Sequence, residues 1–458
     1  MGPTPAKDHH AAVPPPAPRL VSVAGGGRAG AAGASHDTPD ATALLVPVGA
    51  GDARAVDADV PAAVAAVLQQ VLADRVARAA ALDPLFAEDL AGRVARFTQA
   101  GGKRVRPQLL WWSLRACGGG NGSAAAALRI GAALELLQTC ALAHDDVMDG
   151  SAVRRGRPAL HTQVRSRYEG RAPAERAARF GEAAGILAGD LALAWADDLV
   201  AETPLGLRMA TVVRRLWSDM RTEMVAGQYL DVQAQLTGSP SLPRALRTAC
   251  LKSALYSVAR PLAFGAALAG TDDATTRALC SAGRCVGMAF QLRDDLNDVY
   301  GDPGQTGKVC GGDVREGKPT YLIALARARA EAAGDRGALA VLERSLGNPE
   351  LTEADLGDVR AVLERTGARA TVETRIDRLV AQGLRHLDGA LLDREGGARL
   401  RLLLGAAAGG TAAEGRGAGS LSTTIGAASA GASSEGAEAG SRATTVGAAA
   451  ATAEERVR

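Results

Sequence analysis

Three carboxylates close an apolar run in Leu142-Ala143-His144-Asp145-Asp146-Val147-Met148-Asp149. Asp145 and Asp149 stand four residues apart. On a helix they would project from one face, about 6 Å apart along its axis, a spacing at which two carboxylates can share hard cations. The pattern returns in Phe290-Gln291-Leu292-Arg293-Asp294-Asp295-Leu296-Asn297-Asp298, again after an apolar helical run. For one copy taken alone, a solvated helix end is an equal reading. Two copies point to facing helices that hold a cluster of Mg²⁺ ions, because each Mg²⁺ takes one or two carboxylates and completes its octahedron with water and substrate phosphate. The chain supplies its own controls: Asp197-Asp198 and Asp272-Asp273 have Ala201 and Thr276 at the fourth following position and read as ordinary surface.

Cations lie near these acids in sequence, beside glycine-rich turns. They are Lys103, Arg104 and Arg106 in Gly101-Gly102-Lys103-Arg104-Val105-Arg106-Pro107, then Arg154 and Arg155 after the first acidic cluster, Lys252 before Ser253, Lys308 after Gly307, and Lys318 after Gly317. Singly, each reads as a surface charge. Together, in a chain with two metal-type clusters, they suggest sites for two anionic diphosphates. A nucleotide-binding P-loop is disfavoured: Val309 follows Lys308 where Ser or Thr is required, and no parallel-sheet pattern is present to carry such a loop. His144 and His161 read as structural hydrogen-bonding partners, not bases.

The elements that must position these groups are helices. Apolar residues recur at spacings of three and four in Val60, Val64, Val67, Leu68, Val71, Leu72, again from Ile130 to Ala141, and again from Leu279 to Phe290. No sustained alternation marks a sheet, so the fold class is all-α. The chain has 458 residues, 47% hydrophobic, with 52 Lys and Arg against 50 Asp and Glu; that balance argues against a general nucleic-acid binder. Every aromatic lies between Phe86 and Tyr321. Residues 1–57, rich in proline and glycine, and 405–458, built of Gly, Ala, Ser and Thr, therefore read as disordered tails around one helical domain, 58–404. Cys117, Cys140, Cys250, Cys280, Cys285 and Cys310 show neither zinc-type nor disulfide-type spacing. With no uncharged apolar run of about eighteen residues and no export signal, no membrane span is expected and a cytoplasmic protein is.

Six segments in order, GGKRVRP, HDDVMD, RRGRP, LKS, FQLRDDLND and GKVCGGDVREGKPT, resemble the trans-isoprenyl diphosphate synthases over residues of about 60 to 400. The likeness is greatest to geranylgeranyl-type enzymes of high-GC bacteria. It implies an isoprenoid-synthase helical bundle around a deep cavity, a homodimer, and Mg²⁺ on the order of three ions per site. The implied reaction joins isopentenyl diphosphate to an allylic diphosphate, with Asp145, Asp149 and Asp294 as direct metal ligands and Asp298 acting through water. Lys103, Arg106 and Arg155 would clamp isopentenyl diphosphate. Arg154, Lys252, Gln291, Lys308 and Lys318 would hold the allylic diphosphate, with Ser253 where the family commonly has Thr. Gln138 stands where the family often has His; it can donate a hydrogen bond to a diphosphate oxygen but cannot become cationic.

Product length should follow the helix leading to Asp145. Cys140 and Ala141, roughly 6 to 7.5 Å down the axis, are small, and Leu137 is a candidate floor. An aromatic at either small position would close the pocket at farnesyl length, so a product of geranylgeranyl length or longer is expected. A terpene cyclase shares the fold and the first acidic cluster but usually lacks the second cluster and the isopentenyl clamp. A non-catalytic subunit of a heteromeric prenyltransferase tends to lose acidic residues, and none is missing here.

Overall fold

Asp52 and Asp59 start the helical body: the first accepts a hydrogen bond from the amide of Arg54, the second from that of Ala62, each satisfying an amide that a helix start leaves unpaired. The computed structural model describes residues 52–238, 241–301, 310–407 and 409. Helices α1 (Ala53–Ala58) and α2 (Val60–Leu82) follow these caps. The apolar positions of α2 read from the sequence, Val60 through Leu72, are all buried. Helix α1 lies inside the segment read as a tail. Its Val56 is buried, and Asp57 accepts from the Trp111 indole at 2.8 Å, so those residues belong to the helical body. The last described helix, α12, runs Arg394–Ala407, past the expected end of the domain, with Leu400 and Leu404 buried.

Between them the core is built around α4 (Asn121–Met148), which packs along α5 (Ala174–Ala201) and against α3 (Val105–Ala116). Helices α6 (Leu207–Thr237), α7 (Leu242–Ala249), α8 (Arg260–Ala269) and α9 (Asp273–Tyr300) complete the layer that faces α4, and α10 (Tyr321–Ala333) and α11 (Ala368–Asp388) flank α9. Both α2 and α4 are long and apolar enough to cross a membrane by length and composition. In α4, 78% of the most apolar stretch is buried inside the bundle, as in a core helix.

Residues Cys250–Ala259, between α7 and α8, take π-helical hydrogen bonding, which the sequence did not announce. This segment is wedged between α6 and α9. A β-carbon on Gly227 of α6 would lie 2.3 Å from the Lys252 amide nitrogen, and one on Gly287 of α9 would lie 2.6 Å from the Ala254 carbonyl oxygen. Only glycine permits either approach. The one strand pair among the described residues, Val153–Arg154 with Arg157–Pro158, is a hairpin. Its two turn residues, Arg155 and Gly156, both have positive φ, as a two-residue primed turn requires.

The two control pairs have structural duties. Asp272 caps α9 by accepting from the amides of Ala274 and Thr275. Asp197 accepts from the Trp217 indole at 2.7 Å. His144 is likewise structural: Nε2 meets the Ile186 carbonyl at 3.0 Å.

Candidate active site

A cavity of about 820 Å³ opens where the C-terminal end of α4 faces the C-terminal half of α9. Asp145 and Asp149 line it from one side, Asp294 and Asp298 from the other. The sequence separates these pairs by about 150 residues; the bundle brings them to one chamber. Arg106, Gln138, Ala141, Arg154, Arg155, Lys252, Ser253, Gln291 and Lys318 line the same space.

Lysines bridge the acids. Lys252 Nζ stands 3.1 Å from Asp145 Oδ1 and 2.6 Å from Asp231 Oδ2, and Gln228 Nε2 donates to the same Asp145 oxygen at 3.1 Å. Burial opposes ionisation of Asp145, yet the charges of Lys252, Lys318 and Arg154 outweigh it and hold its carboxyl below the usual range. Lys318 Nζ lies 2.8 Å from Asp149 Oδ2 and 3.6 Å from Asp313 Oδ1, and also pairs with Glu316. Burial alone would lower the Lys318 ammonium; Asp313, Asp149 and Glu316 reverse that and raise it. The middle acids behave differently. Burial lifts Asp146 to about 6 despite its ion pair with Arg154, and lifts Asp295 well above the usual carboxylate range, with Asp313 adding to the effect.

A second basic group stands beside the π-helical segment. Arg106 donates to Ser257 Oγ at 2.8 Å and lies over the Tyr256 ring at 4.3 Å, a cation–π distance. Tyr256 donates in turn to Gln138 Oε1 at 2.8 Å. The turn before α3 is held by Arg104, which has a left-handed backbone (φ 50°) and is buried; it pairs with Glu135 of α4 and donates to the carbonyls of Thr98 and Gln99. Such a conformation costs about 1–3 kcal/mol and persists where side-chain bonds over-determine it. Arg155, the other left-handed arginine, passes close to Gly102 of this turn.

The donor set fits a hard cation. Asp149 Oδ1 and Asp146 Oδ2 are buried and have no hydrogen-bond partner among the described residues. Unpaired carboxylate oxygens in a polar chamber are what a divalent ion, or its water shell, would satisfy. No three acidic, histidine or cysteine side chains among the described residues converge as they stand. An ion held by Asp145, Asp149, Asp294 or Asp298 would therefore take further oxygens from water and diphosphate.

Several expectations shift. Lys103 is exposed and absent from the cavity lining; its carbonyl accepts from Gln108 Nε2 at 2.7 Å. Gln291 points its amide nitrogen to Asp295 Oδ1 at 2.8 Å, and Arg154 is engaged with Asp145 and Asp146. Cys140 and Leu137 are buried in the core and do not line the cavity. At 100° per residue, Gln138, Ala141, Leu142, Asp145 and Asp149 share one face of α4, while Cys140 lies opposite it, with Sγ 3.8 Å from His144 Nδ1. Lys308 lies outside the described residues. Sequence reading missed Gln228 and Asp231. They stand three residues apart on α6, directly after Gly227, a glycine-glutamine-acid signal without a charge run to draw attention.

An all-α bundle with two acidic helix ends facing across a basic chamber defines the isoprenoid-synthase class. The polyprenyl synthetase family profile matches residues 88–356, and the chain belongs to that family. A geranylgeranyl diphosphate synthase of Mycobacterium tuberculosis is 35% identical over 247 residues, 53% of this chain and 65% of that protein. A short chain isoprenyl diphosphate synthase of Methanothermobacter thermautotrophicus is 34% identical over 231 residues, 50% of this chain and 65% of its own length. The match thus spans just under two thirds of each of these relatives. The crystal structure of a geranylgeranyl pyrophosphate synthase from Corynebacterium glutamicum, complexed with isoprenyl diphosphate and magnesium, superposes with a TM-score of 0.68 at 35% identity, covering 74% of this chain and 98% of that one. Other relatives are named for products from farnesyl to nonaprenyl diphosphate, so the likeness alone sets no chain length.

Proposed function

We propose that the chain is a Mg²⁺-dependent prenyltransferase that condenses isopentenyl diphosphate head to tail with an allylic diphosphate, giving geranylgeranyl diphosphate. The observation that carries this reading is that two acidic pairs and the cations Arg106, Arg154, Lys252 and Lys318 line one cavity. Mg²⁺ bound by the acidic pairs would supply charge to stabilise a departing diphosphate. Lys252 and Lys318 already sit against the acidic ends and add fixed positive charge where the allylic diphosphate leaves. In this reading Arg106, stacked on Tyr256, and Gln138 orient the isopentenyl diphosphate. No side chain of the motifs is an evident general base, so the released diphosphate is the proton acceptor in this reading.

Ala141, one turn before Asp145, leaves the cavity wall open where an aromatic would close it, and this supports a geranylgeranyl product. Exposed apolar side chains on α5 (Phe180, Ile186, Leu187) and on α6 (Val225, Tyr229, Val232, Leu236) support a homodimer. A cytoplasmic setting goes with this reading. The test is turnover of radiolabelled isopentenyl diphosphate by purified protein with each allylic primer in turn. A geranylgeranyl product is expected; chelation of Mg²⁺ should abolish it. No incorporation with any primer would overturn the reading in favour of a cyclase or a silent subunit.

A further inference from the structure

A second cavity, of about 530 Å³, lies against α11 on the far side of Tyr321. Its polar lining is Thr371, Thr374, Arg375, Arg378 and Gln382, positions spaced by three and four that form one continuous face of the helix. Neither guanidinium has a carboxylate within ion-pair reach among the described residues. Glu373 is held by Arg369, and Asp377 falls on the opposite face of α11 from Arg375. Arg375 Nε is buried and without a hydrogen-bond partner among the described residues, an arrangement that leaves donor capacity unspent. Tyr321 closes the remaining side: its ring lies 5.2 Å from the Arg375 guanidinium, and its hydroxyl is 3.5 Å from Arg375 Nη1.

Two forked cations about 4.5 Å apart along one helix face, with the Gln382 amide beside them, match the acceptor pattern of linked phosphoryl groups, while the hydroxyls of Thr371 and Thr374 are spent on the carbonyls of Gly367 and Ala370. We propose that this cavity binds a diphosphate group, as a site separate from the acidic chamber. Its ligand is either inorganic diphosphate or the head of a prenyl diphosphate whose tail lies along Leu379. Tyr321 lines both cavities, so the second site shares a wall with the first and sits two residues from Pro319 of the Lys318 turn.

The inference goes beyond the proposed condensation and is tested without it. Equilibrium dialysis of the full chain against radiolabelled inorganic diphosphate in Mg²⁺ counts the diphosphates of the acidic chamber together with one at the arginine site. Arg375→Gln with Arg378→Gln should lower the count by one, whereas Lys252→Ala should weaken binding in the acidic chamber alone. Because Arg378 is exposed, Arg378→Gln alone tests the site without disturbing the core; it should weaken binding at the arginine site at least tenfold. Retention of the Lys252-dependent event in the arginine variants reports that they are folded. Competition by geranylgeranyl diphosphate at the arginine site would identify the prenyl ester as ligand, and its failure to compete would identify free diphosphate. An equal count in the wild type and the double arginine variant overturns the proposal, whatever the turnover assay shows.

Discussion

The hydroxyl of Tyr256 donates to Oε1 of Gln138 at 2.8 Å, and this bond decides which end of the amide is left for the cavity. With its oxygen engaged, Gln138 offers its NH₂ group, the end that can donate to a diphosphate oxygen. Burial drives the Tyr256 phenol upward, which keeps it protonated and donating at any physiological pH. Tyr256→Phe removes the lock and lets the amide turn either way. The Michaelis constant for isopentenyl diphosphate should rise about three- to tenfold, as expected for one neutral hydrogen bond of about 1 kcal/mol. An unchanged constant would show that Gln138 does not touch that substrate.

The fit between Gly227 and Lys252 should be as demanding. An alanine at position 227 must push α6 off the π-helical segment, and Asp231 travels with α6 while Lys252 stays with the segment. Gly227→Ala should destabilise the fold by about 1–3 kcal/mol and lower turnover at least tenfold. Urea denaturation and steady-state kinetics would measure the two; retention of wild-type turnover would refute the packing argument.

Glu135 carries the buried end of the turn that sets Arg106. Glu135→Ala would strand the Arg104 guanidinium in the core, at a cost of about 3–5 kcal/mol. The paired variant with Arg104→Met should recover much of that loss. A shift in urea midpoint in the single variant, without recovery in the double, would mean that Glu135 matters for some other contact.

Product length separates two neighbouring residues on α4. Ala141→Phe places a ring in the cavity and should shorten the product to farnesyl length. Cys140→Phe instead overpacks the core beside His144, so about 1–3 kcal/mol of stability should be lost with the product length unchanged. Chromatography of the dephosphorylated alcohols would decide, and the opposite pattern would return control of product length to Cys140.

Much of the chamber was legible in the sequence because its chemistry is written in local runs: the acidic ends at Asp145–Asp149 and Asp294–Asp298, and the basic turns at Arg106, Arg154 and Lys318. What escaped depends on angle or on distance along the chain. Cys140 and Ala141 differ by one residue, yet that step rotates a side chain by about 100° and takes Cys140 out of the cavity. Asp231 meets Lys252 across a contact between two helices, and no run of charge marks it. The π-helical turn that puts Lys252, Ser253, Tyr256 and Ser257 on one wall has no signature in residue type, because packing between α6 and α9 imposes it.

Asp57 has a consequence for where the molecule can be cut. It accepts from the indole of Trp111, a side chain almost wholly enclosed, and from Arg115 at 3.0 Å. A protein trimmed to start at residue 58 would leave a buried donor and a cation with no acceptor, a penalty of about 1–3 kcal/mol for the donor alone. A minimal enzyme should therefore begin no later than Asp52, so that the first helix arrives with its own cap.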